Sequence, residues 1–275
     1  MKKSTFALVF ALAAGSTAVE AGVVYEIEVT DHQQSPPMIE GMQMVTDGKN
    51  IAMDIPPQES VGGGKAIFKG DERQMVVVND ETQSYMVIDK AAVDGMAAQI
   101  SGIMQQMEEM LENLPQEQQD AIKKAQAGGL GGEPGAGAAP NPKAEVKQTG
   151  ERGDQGGYPC VKYEVLLDGQ KIRELWVTDW ANVEGGSEAA GAFENMADFF
   201  ADLTSSMPDF GQGAGPDMDF TEAFSKGFPV LSREFDPETG DLESESTLRS
   251  ARKQSIDPEA FEPPSGYQRT QMFQP

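Results

Sequence analysis

From Gly22 onward, apolar side chains recur at every second position, and this constrains the fold more than any other feature. Val23, Tyr25, Ile27 and Val29 share one side, with Val24, Glu26, Glu28 and Thr30 opposite. A period of two builds a half-buried strand. The pattern returns in residues 38–46, with Glu40, Met42 and Met44 against Ile39, Gly41, Gln43 and Val45, and again at Ile51, Met53 and Ile55. Residues 65–69, 73–79 and 84–89 follow suit. Asp47-Gly48, Gly70-Asp71-Glu72 and Asp80-Glu81-Thr82-Gln83 supply polar turns, and Pro56-Pro57 ends the third strand. Six short strands at this spacing predict an antiparallel meander.

The period changes at Asp89, a residue suited to cap a helix. Val93, Met96, Ala97, Ile100, Ile103, Met104, Met107, Leu111 and Leu114 recur at helical spacing until Pro115. A second, polar helix is expected to about Ala127, followed by a glycine- and proline-rich linker over 128–142. Strands are expected again at 144–149, 158–167 and 171–178. An amphipathic helix over 188–207 carries Phe193, Met196, Phe199, Phe200 and Leu203 on its apolar side. After a loop over 208–226, residues 229–235 and 242–250 read as a hairpin around Asp236-Pro237-Glu238-Thr239-Gly240. Phe261 and Tyr267 pack the last stretch. Strands with segregated helices make an α+β plan, read here as one domain over 22–275.

Lys2-Lys3, the apolar run Phe6–Ala14 and the small-residue site Val19-Glu20-Ala21 have the form of a signal peptide cleaved near Ala21. Export to the periplasm is therefore expected. Cys160 is the only cysteine, and Gly22 stands where a lipid-anchored product needs one, so neither a lipid anchor nor an internal disulfide is expected. No second apolar run is long enough to cross a bilayer, so stable membrane insertion is not expected. The net charge of -24 argues against nucleic acid and anionic lipid surfaces, which would be repelled.

No motif announces a reaction. His32 is the sole histidine, in a polar loop, with neither a CxxC pattern nor a Gly-x-Ser-x-Gly elbow to support it. Cys160 reads as a small buried hydrophobe. The carboxylates around Asp236 lack calcium-loop spacing and fit a hairpin turn. Paired carboxylates for glycoside cleavage stay open, because their separation is spatial. Methionine is the residue type that stands out, in the helix (Met96, Met104, Met107, Met110) and in the strands (Met38, Met42, Met44, Met53, Met75, Met86). It suits ordinary core, an adaptable apolar cavity, or copper(I). No catalytic residue, resident metal or cofactor is assigned.

Three stretches carry a resemblance. They are Ala66-Ile67-Phe68-Lys69-Gly70-Asp71 through Tyr85-Met86-Val87-Ile88-Asp89; Gly157-Tyr158-Pro159-Cys160-Val161-Lys162-Tyr163 with Glu174-Leu175-Trp176-Val177; and Lys226-Gly227-Phe228-Pro229-Val230 with Phe261-Glu262-Pro263-Pro264-Ser265-Gly266-Tyr267. In order and spacing the chain resembles the exported bacterial family catalogued as domain of unknown function 4412. That family is similar to the periplasmic lipoprotein carriers and has no established activity. The resemblance implies an unclosed, strongly curved antiparallel sheet (a half-barrel) capped by amphipathic helices around an apolar cavity. The expected function is a binding protein, not an enzyme, that holds a lipid or acylated polypeptide. Met96, Ile100, Met104, Met107, Phe193, Met196, Phe199 and Phe200 are the expected lining. A ligand-free structural or interaction protein of the cell envelope is the alternative. No protein partner is indicated.

Overall fold

The computed structural model describes residues 20–56, 63–112, 144–206 and 225–270. Residues 1–19 of the expected signal peptide, the second helix, the 128–142 linker and nearly all of the 208–226 loop lie outside the described residues, while Glu20 and Ala21, expected at the cleavage site, open the first strand and pair with Ile256 and Ser255.

The first six strands are β1 (Glu20–Asp31), β2 (Met38–Thr46), β3 (Ile51–Ile55), β4 (Gly64–Lys69), β5 (Gln74–Asn79) and β6 (Ser84–Ile88). They are followed by helix α1 (Lys90–Glu112). Then come β7 (Ala144–Gln155), β8 (Tyr158–Leu167), β9 (Gln170–Thr178), helix α2 (Gly186–Ser206), β10 (Phe228–Phe235), β11 (Leu242–Ile256) and β12 (Gln268–Thr270). All twelve strands belong to one open sheet, in the order β12-β6-β5-β4-β3-β2-β1-β11-β10-β9-β8-β7. Two meanders thus meet where β1 pairs antiparallel with β11, so the segments on either side of the 128–142 linker share a continuous sheet. Twelve strands stand against two α-helices and two one-turn 3-10 helices among the described residues. The unclosed sheet is as expected, but the architecture is largely β and not the expected α+β plan, since the helices form no layer of comparable extent.

Local chemistry explains the element ends. Asp89 caps α1, its carboxylate accepting the Ala92 N–H at 2.7 Å. Gly185 precedes α2 with φ +69, and a Cβ there would stand 2.0 Å from Val23 Cγ2, so only glycine fits this close approach. In α2, Ala189, Ala192, Phe193, Phe199 and Leu203 are buried in the same core as Val23, Tyr25, Met44, Ile51 and Phe68 of the sheet. The rings of Phe199 and Phe68 meet at 5.6 Å. Two exposed ion pairs, Arg73–Asp202 and Lys253–Glu188, also join α2 to the sheet.

Two further expectations are corrected. The start of β1 is buried on both faces, because the C-terminal segment covers the side away from α2. There Val24, Ala52, Ile67, Val76 and Val78 pack with Ile256 and Phe261. Phe261 closes a one-turn 3-10 helix (Pro258–Phe261) capped by Asp257, and Tyr267 leads into β12, which runs parallel to β6. The polar strands β7 and β11 also run further than alternation suggests, to Gln155 and Ile256.

Candidate functional site

A cavity of about 340 Å³ lies between the sheet and α2. Register assembles its wall. Met44 of β2 stands opposite Met53 of β3. Phe68 of β4 stands between Ile51 of β3 and Met75 of β5. Ile27 of β1 lies between Met42 and Leu248. Ala66 completes the β4 contribution, Phe193 and Met196 come from α2, and Phe228 and Pro229 from β10. Eight neighbouring strands, β5 to β9 in sheet order, contribute to this one lining. Laid flat, they would span about 34 Å at the usual spacing between strands. A space this small touches them all because the sheet bends around it.

One end of the lining is polar. Arg173 of β9 opposes Glu234 of β10, and its guanidinium donates to Glu234 Oε1 at 2.7 Å. Ser244 donates to the other carboxylate oxygen at 3.0 Å. Ser232 and Ser246, opposite each other on β10 and β11, complete this end. The remaining lining is apolar.

On the other side of β9, the neighbouring Glu174 is buried and closes a chain of alternating charge from β7 to β11. Its carboxylate lies 3.0 Å from Lys162 Nζ and 3.8 Å from Lys171, and accepts from Trp176 Nε1 at 3.0 Å and from Arg233 at 3.2 Å. Lys162 reaches Glu151 and Arg233 reaches Glu245, which extends the chain at both ends. Burial works against ionisation of Glu174, but hydrogen bonds from Lys162 and Trp176 outweigh it and hold its carboxyl below the usual range. The Glu174 hydrogen bond raises Lys162 in turn. These charges satisfy one another across five strands.

The residues singled out in the sequence divide. Phe193 and Met196 line the cavity. Phe199 does not: it is buried one turn further on, against Phe68 and the Phe200 ring. Phe200 is partly buried and is likewise no part of the lining. Met96, Ile100, Met104 and Met107 lie on α1, but their side chains are outside the described residues. Cys160 is buried, its thiol donates to the Tyr158 carbonyl at 3.2 Å, and burial pushes its pKa up to about 11. His32 lies in an exposed loop, its backbone N–H donating to the Glu243 carbonyl. Asp236 accepts from the Glu238 and Thr239 N–H groups, as a hairpin turn requires. Among the described residues no three His, Cys, Asp or Glu side chains cluster as a metal site. No described helix is long and apolar enough to cross a membrane. Sequence reasoning named Met42, Met44, Met53 and Met75 as strand methionines without placing them at the site. It missed Arg173 and Glu234, which only the β9–β10 register brings together.

No protein-family model matches the chain, and no curated protein matches it. Some solved structures match it distantly. An uncharacterized conserved protein from Thermus thermophilus superimposes over 92% of this chain and 91% of its own, with 7% identity and a TM-score of 0.42. Pseudomonas aeruginosa MucB, in its complex with MucA, matches over 88% of this chain at 9% identity with a TM-score of 0.28. PNGF-II matches over 91% at 10% identity with a TM-score of 0.38. The chain spans 55% of the matched MucB structure and 30% of PNGF-II. Likenesses this distant carry no argument about function.

Proposed function

We propose that this protein is an exported binding protein of the cell envelope that holds one acyl chain, of a lipid or of an acylated polypeptide, between its sheet and α2. The observation that supports this is the methionine-rich cavity of about 340 Å³. Small-molecule sites begin near 300 Å³ and are mostly apolar with a few convergent polar groups. A space at the small end of that range suits one chain better than a two-chain lipid. Unbranched thioethers adapt to chains of varied length and unsaturation. Burial of apolar surface, at about 25 cal/mol per Å² before ordering costs, would drive binding. The Arg173–Glu234 pair with Ser232 and Ser246 would hold a polar end group.

Export follows from the signal-peptide pattern of residues 1–21, and kinship with the carrier-like exported family from the three quoted motifs. The role proposed is binding without catalysis. The ligand-free envelope protein is the second reading, favoured by the Phe199–Phe68 contact that fastens α2 to the sheet.

Native mass spectrometry of the purified protein, with organic extraction and titration of a fluorescent fatty acid, decides between them. Carriage predicts co-purifying apolar mass and saturable binding that falls when Met44 or Met53 is replaced by a charged residue. A clean apo mass with no fatty-acid binding would overturn it.

A further inference from the structure

Three of the cavity's methionines sit together at one place in the ladder. Met44 stands directly opposite Met53, and Met42, two positions along β2, shares the face of Met44. Directly opposed residues hold their Cβ atoms about 5 Å apart, which sets Met44 beside Met53; Met42 lies two residues past the last β2–β3 pair and lines the same cavity. Each methionine has three rotatable bonds, so three sulfurs can turn toward one point above the β2–β3 pair. Met75 and Met196 border the same space from β5 and α2. The wall that β1 to β5 supply is otherwise Ile27, Ile51, Ala66 and Phe68, which offer no oxygen or nitrogen donor from a side chain. The serines and Glu234 come from β10 and β11, on the far side of β1.

A neutral, all-sulfur donor set selects by softness. Thioethers hold copper(I) and suit oxygen-seeking cations poorly. Burial adds to this choice. The penalty for taking an ion out of water is severe, and neutral ligands leave a divalent ion uncompensated. We infer that Met42, Met44 and Met53 form a thioether site for a soft monovalent cation, copper(I), with Met75 or Met196 available as a fourth donor. The inference uses the sulfur lone pairs and does not depend on an acyl ligand.

The test titrates the full chain with copper(I), anaerobically and under reducing conditions, against a chromogenic chelator. Silver(I) serves as the redox-inert stand-in. The variant M42L/M44L/M53L keeps side-chain volume and apolar character, so the cavity should persist. M38L/M86L removes two strand methionines that do not line the cavity. Far-UV circular dichroism and Tm monitor the fold in every variant. The expected result is equimolar copper(I), an X-ray absorption shell of sulfur alone, and full binding by M38L/M86L. The triple variant should lose more than about 100-fold in affinity, beyond the loss of a mere supporting residue. Failure to compete with the chelator, oxygen or nitrogen in the shell, or undiminished binding by a folded triple variant would overturn the inference. A wild-type chain that binds copper(I) but no fatty acid would uphold this site and overturn the acyl reading alone, and one that binds fatty acid but no copper(I) would do the reverse.

Discussion

Ala66 offers a direct probe of the cavity. It faces the space between Met53 and Phe68 and is only half-buried. Ala66→Leu adds three carbon groups. At about 0.8 kcal/mol per buried methylene they are worth about 2.4 kcal/mol if wholly taken from water. Ordering the new rotamer removes about 0.5–1 kcal/mol. The cavity opens to solvent, so part of the added surface stays wet. A net stabilisation of about 1 kcal/mol remains, which raises Tm by about 3 °C for a chain of this size. Differential scanning calorimetry and urea titration measure the change, and a fluorescent fatty acid reports occupancy in the same samples. Affinity should fall as stability rises. In a close-packed interior the same substitution forces side chains off their rotamers and costs about 1–3 kcal/mol. A destabilisation of that size, with m unchanged, would refute the existence of usable space at this position.

Other consequences follow from the packing and charge. Glu174→Gln should destabilise by about 3 kcal/mol in chemical denaturation, because Lys162 and Arg233 lose their shared buried anion. Since the folded state holds Glu174 below its ordinary value of 4.5, its contribution is complete above that pH and lost as pH falls through the depressed value. Wild-type stability should therefore drop below about pH 4.5, and the Gln variant should show a shallower acid slope in a pH series of urea melts. Phe261→Ala should cost about 3–5 kcal/mol by uncovering Val24, Ala52 and Ile67, measured by thermal unfolding. Cys160 should react slowly with a thiol reagent in the native state and fully in denaturant, because its thiol is buried and its pKa lies near 11.

The strands were legible wherever one face of the sheet meets the core, because alternation records that asymmetry directly. Met42, Met44, Ile51 and Met53 are such cases. Alternation misleads at Val24, which sits among glutamates in sequence yet is buried beneath the Phe261 segment. That cover arrives from more than two hundred residues away, so no local pattern announces it. The end of β11 was hidden for another reason. Ser250, Arg252 and Lys253 hold their places through ladder pairing with β1 and contacts to Glu26 and Glu188, not through apolar periodicity. At the site, helical spacing picked out Phe193 and Met196. It could not tell them from Phe199, whose ring goes to Phe68. Nothing marks Arg173 and Glu234 in sequence, since a cross-strand pair is a property of register and register depends on bulges such as the one at Val230.

The pairing of β1 with β11 has a consequence for biogenesis. β1 lies near the middle of the sheet, and its neighbour on one side is made more than two hundred residues later. Until residues 242–256 are available, β1 leaves a row of unmet amide groups open to any passing strand. Closing so long a loop before any reward makes assembly slow. A nascent chain of this design needs shelter until β11 arrives, and fragments cut short before it should be cleared or should clump.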